Sequence, residues 1–201
     1  MPANPPGVGV TGASPAGRFR ALPRLSTRET RTGDIVVYTL LKCYTLTVDA
    51  GGMPLLEGFV RGFDGEYRFL SNFSPSEVTL DGETYPTVEH AFQAAKTFDL
   101  EEREQVRRAP TPAAAKKLGR RVTLRRDWQT VKIGIMKDLV REKFQKPELA
   151  EKLLATGDDV LIEENWWNDQ FWGVSKGRGK NHLGRILMEV RTELRTVVVR
   201  Q

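Results

Sequence analysis

The sequence predicts one α+β domain that is mainly helical and contains a small number of short strands. Three observations support this prediction. The chain has 201 residues, 39% of them hydrophobic, which is enough for one full core without disulfide or metal crosslinks. Apolar residues recur at helical spacing in several segments after residue 87. The β-prone segments are short, and a few strands among many helices indicate the α+β class.

The first 52 residues predict an extension that precedes this domain, which we place at residues 53–201. Residues 1–33 are rich in Pro, Gly, Ala, Ser, Thr and Arg without apolar periodicity, so we expect them to be disordered. Residues 35–49 form a β-prone apolar segment, and Gly51-Gly52 ends it. Met53 follows, and we expect it to be the real start, with the preceding stretch added by an upstream start.

Three segments of the domain predict strands. Residues 67–70 (YRFL) are β-prone. Residues 78–80 and 83–85 predict a hairpin, because the Asp81-Gly82 pair between them tolerates the positive φ angles of a type I′ turn. Residues 160–163 (VLIE) predict a further strand.

The helices are predicted by their start and stop signals. Thr87 is a suitable N-cap for the first helix, and a second helix is expected over residues 100–109. Thr111-Pro112 begins a third helix and Gly119 ends it, in agreement with the preference for Pro at the start and Gly after the end. The remaining helices are expected from Asp127 to residue 145, over residues 147–155 and from about Asn181 onward.

Composition excludes several classes of protein. No apolar run approaches the roughly 18 residues of a membrane helix, so we expect no membrane partner. The single cysteine, Cys43, excludes a disulfide scaffold and a Cys-rich zinc site and fits the reducing cytoplasm. With only two histidines, a His-built metal centre is not expected, and no metal or other cofactor is implied.

Positive charge is unevenly distributed along the chain. The net charge is +5, but after residue 52 the chain has 25 Lys and Arg against 23 Asp and Glu. A nearly neutral body argues against a protein that coats nucleic acid. One basic run, residues 116–126, holds six cations and no acid. It is either a solvated face or a patch that attracts a phosphorylated or nucleic-acid ligand.

A first motif places an acid, an amide and an amine on one side of the first helix. Glu89, Gln93 and Lys96 follow one another at positions i, i+4 and i+7, on a stripe beside the apolar face. Glu89 lies in the first turn, where the helix dipole favours its charged form. The stripe either lines one wall of a site, or Glu89 merely complements the dipole and Lys96 is solvated.

Two further motifs follow one another near the C-terminus. Three of the four tryptophans fall within residues 166–172, interleaved with amides and an acid. Such a segment either caps the core or stacks a flat heterocycle, and the difficulty of burying Asn168-Asp169 favours a pocket. The Gly- and Lys-rich residues 173–180 then lead into the last helix. They form either a flexible loop or a phosphate-binding loop, in which backbone N–H groups and a helix start face the anion.

Taken together and in this order, these segments resemble the NADAR family, also called YbiA-like. The resemblance covers about residues 63–195. The matching residues are 70–73 (LSNF), 85–90 (YPTVEH), 92–96 (FQAAK), 168–169 (ND), 172–173 (WG) and 177–184 (GRGKNHLG).

The resemblance implies an N-glycosidase of the ADP-ribosyl glycohydrolase type, with one of two substrate classes. The first is ADP-ribose attached to guanine in nucleic acid, for which an ADP-ribosyltransferase toxin would be the counterpart. The second is the phosphoribosylamino-pyrimidine intermediates of riboflavin synthesis. Carried over residue by residue, it implies catalytic roles for Glu89, Asp169 and Lys96. It implies substrate contacts by Asn72, Gln93, Trp172, Gly173, Gly179, Lys180 and Asn181.

The residues fit this chemistry, with three points left open. Cleavage of a ribose C1′–N bond builds positive charge on C1′, so a carboxylate, Glu89 or Asp169, must stabilise that charge or activate water. Lys96 either pairs with phosphate or attacks C1′ of an opened sugar to form a Schiff base, which requires a lowered pKa. The alternative from another class is a reader of ADP-ribose or modified nucleic acid without turnover. The acid–amine stripe argues against a reader, and the basic run favours a polyanionic substrate.

Overall fold

The structure is a computed structural model that describes residues 29–32, 35–40, 44–47 and 58–198. This part of the chain contains six α-helices, one 3₁₀ helix and seven strands of three to six residues. The predicted mainly helical α+β fold is therefore confirmed. None of the described helices is both long enough and apolar enough to span a bilayer.

A small antiparallel sheet lies in the N-terminal segment. Its strands β1 (Glu29–Thr32), β2 (Ile35–Leu40) and β3 (Tyr44–Thr47) are paired in chain order. Strands β2 and β3 confirm the β-prone segment. Residues 29–32, which belong to the segment expected to be disordered, form β1 and pair with β2. Residues 1–28 and the expected start at Met53 lie outside the described residues.

A parallel strand pair positions the later site loops. Strand β4 (Phe59–Arg61) pairs with β7 (Val160–Ile162). The sequence predicted β7 but not β4. Leu161 and Ile162 are fully buried. The chain leaves β7 at Glu163 and enters the aromatic loop directly.

The predicted hairpin is confirmed, whereas the strand predicted before it is not. Strands β5 (Val78–Leu80) and β6 (Glu83–Tyr85) flank Asp81 and Gly82, whose φ angles of 51° and 85° are those of a type I′ turn. The prediction of a strand at residues 67–70 is wrong, because Gly65–Leu70 form a 3₁₀ helix. β-prone side chains make a strand only where another strand edge is available, and here the i→i+3 hydrogen bonds of the 3₁₀ helix satisfy the backbone instead.

Helix α1 (Val88–Ala94) is the centre of the domain, and every one of its residues is buried. The side chain of Thr87 accepts a hydrogen bond from the His90 amide, as expected of an N-cap. Three further predicted helices pack against α1. They are α2 (Leu100–Arg107), α3 (Pro112–Leu118) and α4 (Trp128–Lys143).

Two C-terminal helices complete the fold. Helix α5 (Pro147–Ala155) and helix α6 (His182–Val198) pack on each other, and α6 also packs on α4 and β7. The inner face of α6 is at most 3% exposed, and burial of each of its large apolar side chains contributes roughly 1.5–3 kcal/mol. Both ends of the loop at residues 163–181 are thus attached to buried elements. The buried inner-face residues are Leu183, Ile186, Leu187 and Val190.

Candidate active site

The acid and the amide of the first motif lie side by side on α1. Glu89 is 6% exposed and Gln93 is 4% exposed. Gln93 Nε2 donates to Glu89 Oε1 over 2.8 Å, as the i, i+4 spacing predicts. The amide of Glu89 donates to the Asn72 carbonyl, 3.1 Å away, which ties the first turn of α1 to the loop before β5.

The ionisation of Glu89 depends on two opposing influences. Burial raises its pKa, because the charged form loses its hydration. The ammonium groups of Lys116 and Lys96 and the hydrogen bond from Gln93 act in the opposite direction. Asp169 raises the pKa further by like-charge repulsion.

A third carboxyl group, outside the motifs predicted from the sequence, interacts with Glu89 and Asp169, and the three together form a carboxyl cluster. Glu163 follows β7, and its Oε2 is buried without a hydrogen-bond partner among the described residues. Burial and the nearby Asp169 raise its pKa to about 7, while Lys116 opposes the rise. A signal existed in the sequence, since an acid directly after an apolar strand often lies at a sheet edge where sites form.

Asp169 shapes the loop that carries Trp172. Its Oδ1 accepts hydrogen bonds from the amides of Phe171 and Trp172, at 3.0 and 2.9 Å. Asn165 holds the other side of the turn: its Nδ2 donates to the Asp169 carbonyl (2.8 Å) and its Oδ1 accepts from the Asp169 amide (2.9 Å). The turn is therefore built before any ligand arrives.

The structure separates the three neighbouring tryptophans. Trp172 is half-buried and meets the ring of Phe92 edge-to-face, with centroids 5.2 Å apart. Trp166 and Trp167 are 85% and 49% exposed. Of these three tryptophans, only Trp172 thus packs against the hydrophobic core.

Lys96 lies at the far end of the α1 stripe. Its Nζ donates to the Gly119 carbonyl (3.1 Å) and lies 5.9 Å from the centroid of the Trp128 ring. Burial lowers the pKa of Lys96, and the neighbouring Lys116 and Arg120 lower it further, whereas Glu89 opposes this shift. A lowered pKa is what an amine nucleophile requires.

The glycine-rich loop packs tightly against the end of β7. A Cβ atom on Gly173 would lie 2.2 Å from the Glu163 carbonyl oxygen, so only glycine fits there. Gly179, at φ 153°, would likewise place a Cβ 2.1 Å from the carbonyl oxygen of Gly173. Close backbone packing, rather than flexibility, accounts for these two glycines.

Asn181 links this loop to β7. Its Oδ1 accepts from the Glu163 amide (3.0 Å) and its Nδ2 donates to the Leu161 carbonyl (2.8 Å). Lys180 is exposed, and its Nζ lies 5.6 Å from the centroid of the Phe171 ring. The two neighbours therefore differ: Asn181 is engaged within the protein, and Lys180 faces solvent.

These motifs and this fold match those of known proteins. The family model of the NADAR domain matches residues 58–195. The chain belongs to the NADAR family.

Individual relatives support the assignment. Over 133 residues the chain is 43% identical to "N-glycosidase YbiA" of Escherichia coli, an alignment that covers 64% of this chain and 82% of YbiA. It is 41% identical over 139 residues to an N-glycosidase of Nostoc punctiforme, covering 66% and 88% of the two chains. A riboflavin biosynthesis protein of Vibrio vulnificus is 44% identical over 135 residues, which cover 65% of this chain and 36% of that protein.

The solved structure of Escherichia coli YbiA has a similar fold. It superimposes with a TM-score of 0.66 at 38% sequence identity, over 72% of this chain and 89% of YbiA. The match to the family model, over residues 58–195, covers all the site residues described above.

In this NADAR domain, the predicted site residues fall into two sets. One set surrounds the start of α1 and the aromatic loop, where electrostatic and hydrogen-bond contacts connect its members: Asn72, Glu89, Gln93, Lys96, Asp169 and Trp172. The other set lies on the glycine-rich loop: Gly173, Gly179, Lys180 and Asn181. Gly173 connects the second set to the first through Glu163, because it packs against Glu163, whose pKa is raised by Asp169 and Glu89 of the first set.

Three buried acceptor oxygens of the NADAR site have no donor among the described residues. They are Asn72 Oδ1, Gln93 Oε1 and Glu163 Oε2. Unsatisfied buried acceptors are costly unless a ligand or water supplies the donor. Asn72 and Gln93 form hydrogen bonds with Glu89, and the charge of Glu89 contributes to the raised pKa of Glu163.

Other surface features of the NADAR domain lie apart from this cluster. Two depressions, of about 350 and 470 Å³, are lined by none of the predicted site residues. Within the described part of the chain, no group of three or more His, Cys, Asp or Glu side chains could hold a metal ion.

Proposed function

We propose that this protein is an N-glycosidase that hydrolyses a ribose C1′–N bond and that its substrate is ADP-ribose attached to guanine in nucleic acid. The observation that carries the proposal is the cluster of buried acceptor oxygens around Glu89. Gln93 Oε1 lies against Gly119, but the acceptors Asn72 Oδ1 and Glu163 Oε2 suit a ligand rich in O–H and N–H groups, such as a ribose with its base. The names of the N-glycosidase relatives support the reaction class.

Glu89 is the carboxylate that we assign to C1′. Gln93 fixes one of its oxygens, and two lysines favour its charged form against the effect of burial. As the C1′–N bond breaks, the bonding pair leaves with the base and positive charge develops on C1′. The Glu89 carboxylate stabilises that charge and accepts a proton from the water whose oxygen bonds to C1′.

Glu163 is the proton donor that we assign to the departing base. A carboxyl group with a pKa of about 7 is partly protonated under neutral conditions, whereas an ordinary glutamate is not. Its proton passes to the base nitrogen that receives the bonding pair. We assign Asp169 a positioning role, because its Oδ1 holds the backbone that carries Trp172.

Lys96 remains open to two roles within this proposal. Its ammonium can pair with a phosphate of the substrate. Its lowered pKa also allows the neutral amine to attack C1′ of an opened sugar: the C1′–N bond to the base then breaks, the base leaves with the bonding pair and a proton, and water hydrolyses the resulting Schiff base on Lys96. Borohydride trapping separates the two roles, because only a Schiff base is reduced to a stable adduct on Lys96.

The proposal is tested by mass spectrometry of a short DNA strand that bears ADP-ribosyl-guanine. We expect the full-length protein to remove the ADP-ribose mass and Glu89→Gln to leave it in place. Glu148→Gln, the same change at an exposed carboxyl group on α5, is the matched control and should retain activity. A reader would bind the strand and leave it intact with every variant, which would contradict the proposal.

A second candidate is hydrolysis of phosphoribosylamino-pyrimidine intermediates of riboflavin synthesis. The similarity to the riboflavin biosynthesis protein of Vibrio vulnificus favours it. The same three proteins incubated with such an intermediate test it: cleavage there, with an untouched DNA strand, would replace the first candidate by the second.

A further inference from the structure

Two tryptophans on the aromatic loop are displayed on the surface. Trp166 is 85% exposed and Trp167 is 49% exposed, and their rings meet edge-to-face with centroids 5.5 Å apart. Neither ring belongs to the buried core. Large aromatic side chains held in water are typical of binding surfaces, where they supply contact area at a low cost in conformational entropy.

The base of this loop is held rigidly. The Asn165 side chain bonds both backbone groups of Asp169, and the Asn165 amide donates to the Val174 carbonyl (2.8 Å). The three residues between Asn165 and Asp169 therefore project from a fixed turn. Two of those three residues are the exposed tryptophans.

The exposed rings adjoin the carboxyl cluster through a shared cation. Lys116 Nζ lies 5.9 Å from the centroid of Trp167 and 5.7 Å from that of Phe73. The same ammonium opposes the rise that burial causes in the pKa of both Glu89 and Glu163. A molecule on the tryptophans would thus be close to the site that we assign to C1′.

Unpaired positive charge continues from Lys116 along the end of α3. Lys117, Arg120 and Arg121 are exposed, and none forms an ion pair with a carboxylate of the described residues. Arg125 differs, because it makes two hydrogen bonds to Asp127 and stacks on Phe98. Lys117, Arg120 and Arg121 are therefore available to an anion, whereas Arg125 is engaged within the protein.

We propose that Trp166 and Trp167 form a stacking platform for a base of single-stranded nucleic acid that flanks the nucleotide to be cleaved. Exposed rings beside unpaired cations are the combination that single-strand binders use, because every base has a π-face and every linkage has a phosphate. The phosphates of the strand are contacted by Lys117, Arg120 and Arg121. The platform rests on the proposed function for its nucleic-acid substrate, but its binding does not depend on cleavage.

The test is the fluorescence anisotropy of an unmodified, labelled single strand of about ten nucleotides, titrated with the full-length protein. We expect Trp166→Ala with Trp167→Ala to weaken binding at least about 10-fold, on the order expected for loss of one stacked base. The double Phe variant should retain most of the affinity, since it keeps two aromatic faces. Phe98→Ala, which removes an exposed ring that also lies against a guanidinium, should bind as the wild type does.

Further outcomes separate the platform from the proposed function. An unchanged dissociation constant for the double Ala variant would overturn the platform even if the wild type cleaves ADP-ribosyl-guanine. A raised dissociation constant for the double Ala variant would support the platform even if no cleavage is found. A duplex of the same sequence should compete poorly, because its bases are already stacked, and equal competition would overturn the single-strand assignment.

Discussion

The chemistry that we propose for the site depends on a few buried polar side chains whose positions are fixed by neighbours. Gln93 holds Glu89, the Asn72 carbonyl accepts the Glu89 amide, and Asn181 holds the backbone of Glu163. Because Glu89 and Gln93 are almost fully buried, their relative position is fixed before a substrate binds. Preorganised groups of this kind need little rearrangement at the moment of bond cleavage.

Replacement of Glu163 by Gln tests its role as a proton donor. Because the protonated form is the active one, wild-type kcat/KM should fall as the pH rises through about 7. Glu163→Gln cannot donate a proton, so kcat should be lower by a factor of about 10²–10⁴. Its pH profile should also lose this alkaline decline. Steady-state kinetics from pH 5.5 to 9 measures both effects.

The neighbouring Glu164 supplies the control for this prediction. Glu164 is exposed and lies 3.9 Å from Arg61, so Glu164→Gln should keep both the wild-type rate and the alkaline decline. An unaltered profile for Glu163→Gln would contradict the assignment of Glu163 as the acid.

The stability of the Glu163 variant provides an independent measurement. The folded protein retains a proton on Glu163 that the unfolded chain releases between about pH 4.5 and 7, so wild-type stability should fall over this range. Glu163→Gln should abolish this fall and gain up to about 3 kcal/mol relative to the wild type at pH 8. Urea unfolding at pH 4.5 and 8 measures the difference.

At the scale of elements, the contact between α1 and α3 controls the position of Gln93. Gly119 follows α3 with a φ of −62°, so it is not required for a left-handed conformation. A Cβ atom at Gly119 would instead lie 2.1 Å from Gln93 Oε1. The residue that ends α3 is therefore also the residue that lets α3 approach the site.

The pair Gly119→Ala and Gly134→Ala separates close packing from helix propensity. Gly119→Ala should displace Gln93, destabilise the fold by about 1–3 kcal/mol and lower kcat. Gly134 lies in α4 with open space around it, so Gly134→Ala should stabilise by about 0.5–1 kcal/mol and leave kcat unchanged. Thermal unfolding and the cleavage assay test both, and equal effects of the two changes would refute this account of Gly119.

The elements also show which parts of the structure a single sequence can predict. Helical spacing predicts the Glu89–Gln93 contact, and the Asp-Gly pair predicts the type I′ hairpin, because both depend on residues close together in the chain. Glu163 was missed because its importance comes from distant partners, Lys116 and Asp169. The misassigned 3₁₀ helix at Gly65–Leu70 has the same cause, since strand formation depends on a distant edge.

At the scale of the whole molecule, the fold brings distant segments around α1. The parallel pairing of β4 with β7, together with the docking of α6, holds the loop at residues 163–181 beside the first helix. The sequence order of the motifs predicted that they belong together, and the family assignment agrees. Burial could not be predicted in the same way: the composition of the aromatic loop does not reveal that Trp172 packs inward while Trp166 and Trp167 face water.

The distribution of charge over the whole molecule predicts which substrate class is sensitive to salt. The acids and bases after residue 52 largely offset one another, whereas a local excess follows Lys116 in the chain at Lys117, Arg120 and Arg121, and Arg120 acts on the pKa of Lys96. If these three cations contact phosphates of a single strand, log(kcat/KM) should fall with log[salt] with a slope of about −2, at about 0.7 for each contact. A phosphoribosylamino-pyrimidine carries one phosphate and should give a shallower slope.

Removal of two of these positive charges should make the salt dependence of the oligonucleotide reaction weaker. Arg120→Gln with Arg121→Gln should reduce the slope for the oligonucleotide by about 1.4, because two phosphate contacts are lost. Lys152→Gln, which removes an exposed cation on α5, should leave the slope unchanged, since Lys152 lies outside the basic run. The slope is measured for the wild type and both variants from the kinetics of cleavage of the ADP-ribosylated strand at roughly 50 to 300 mM salt. An oligonucleotide reaction whose rate ignores salt would remove the electrostatic argument for a polyanionic substrate and leave the small metabolite as the better candidate.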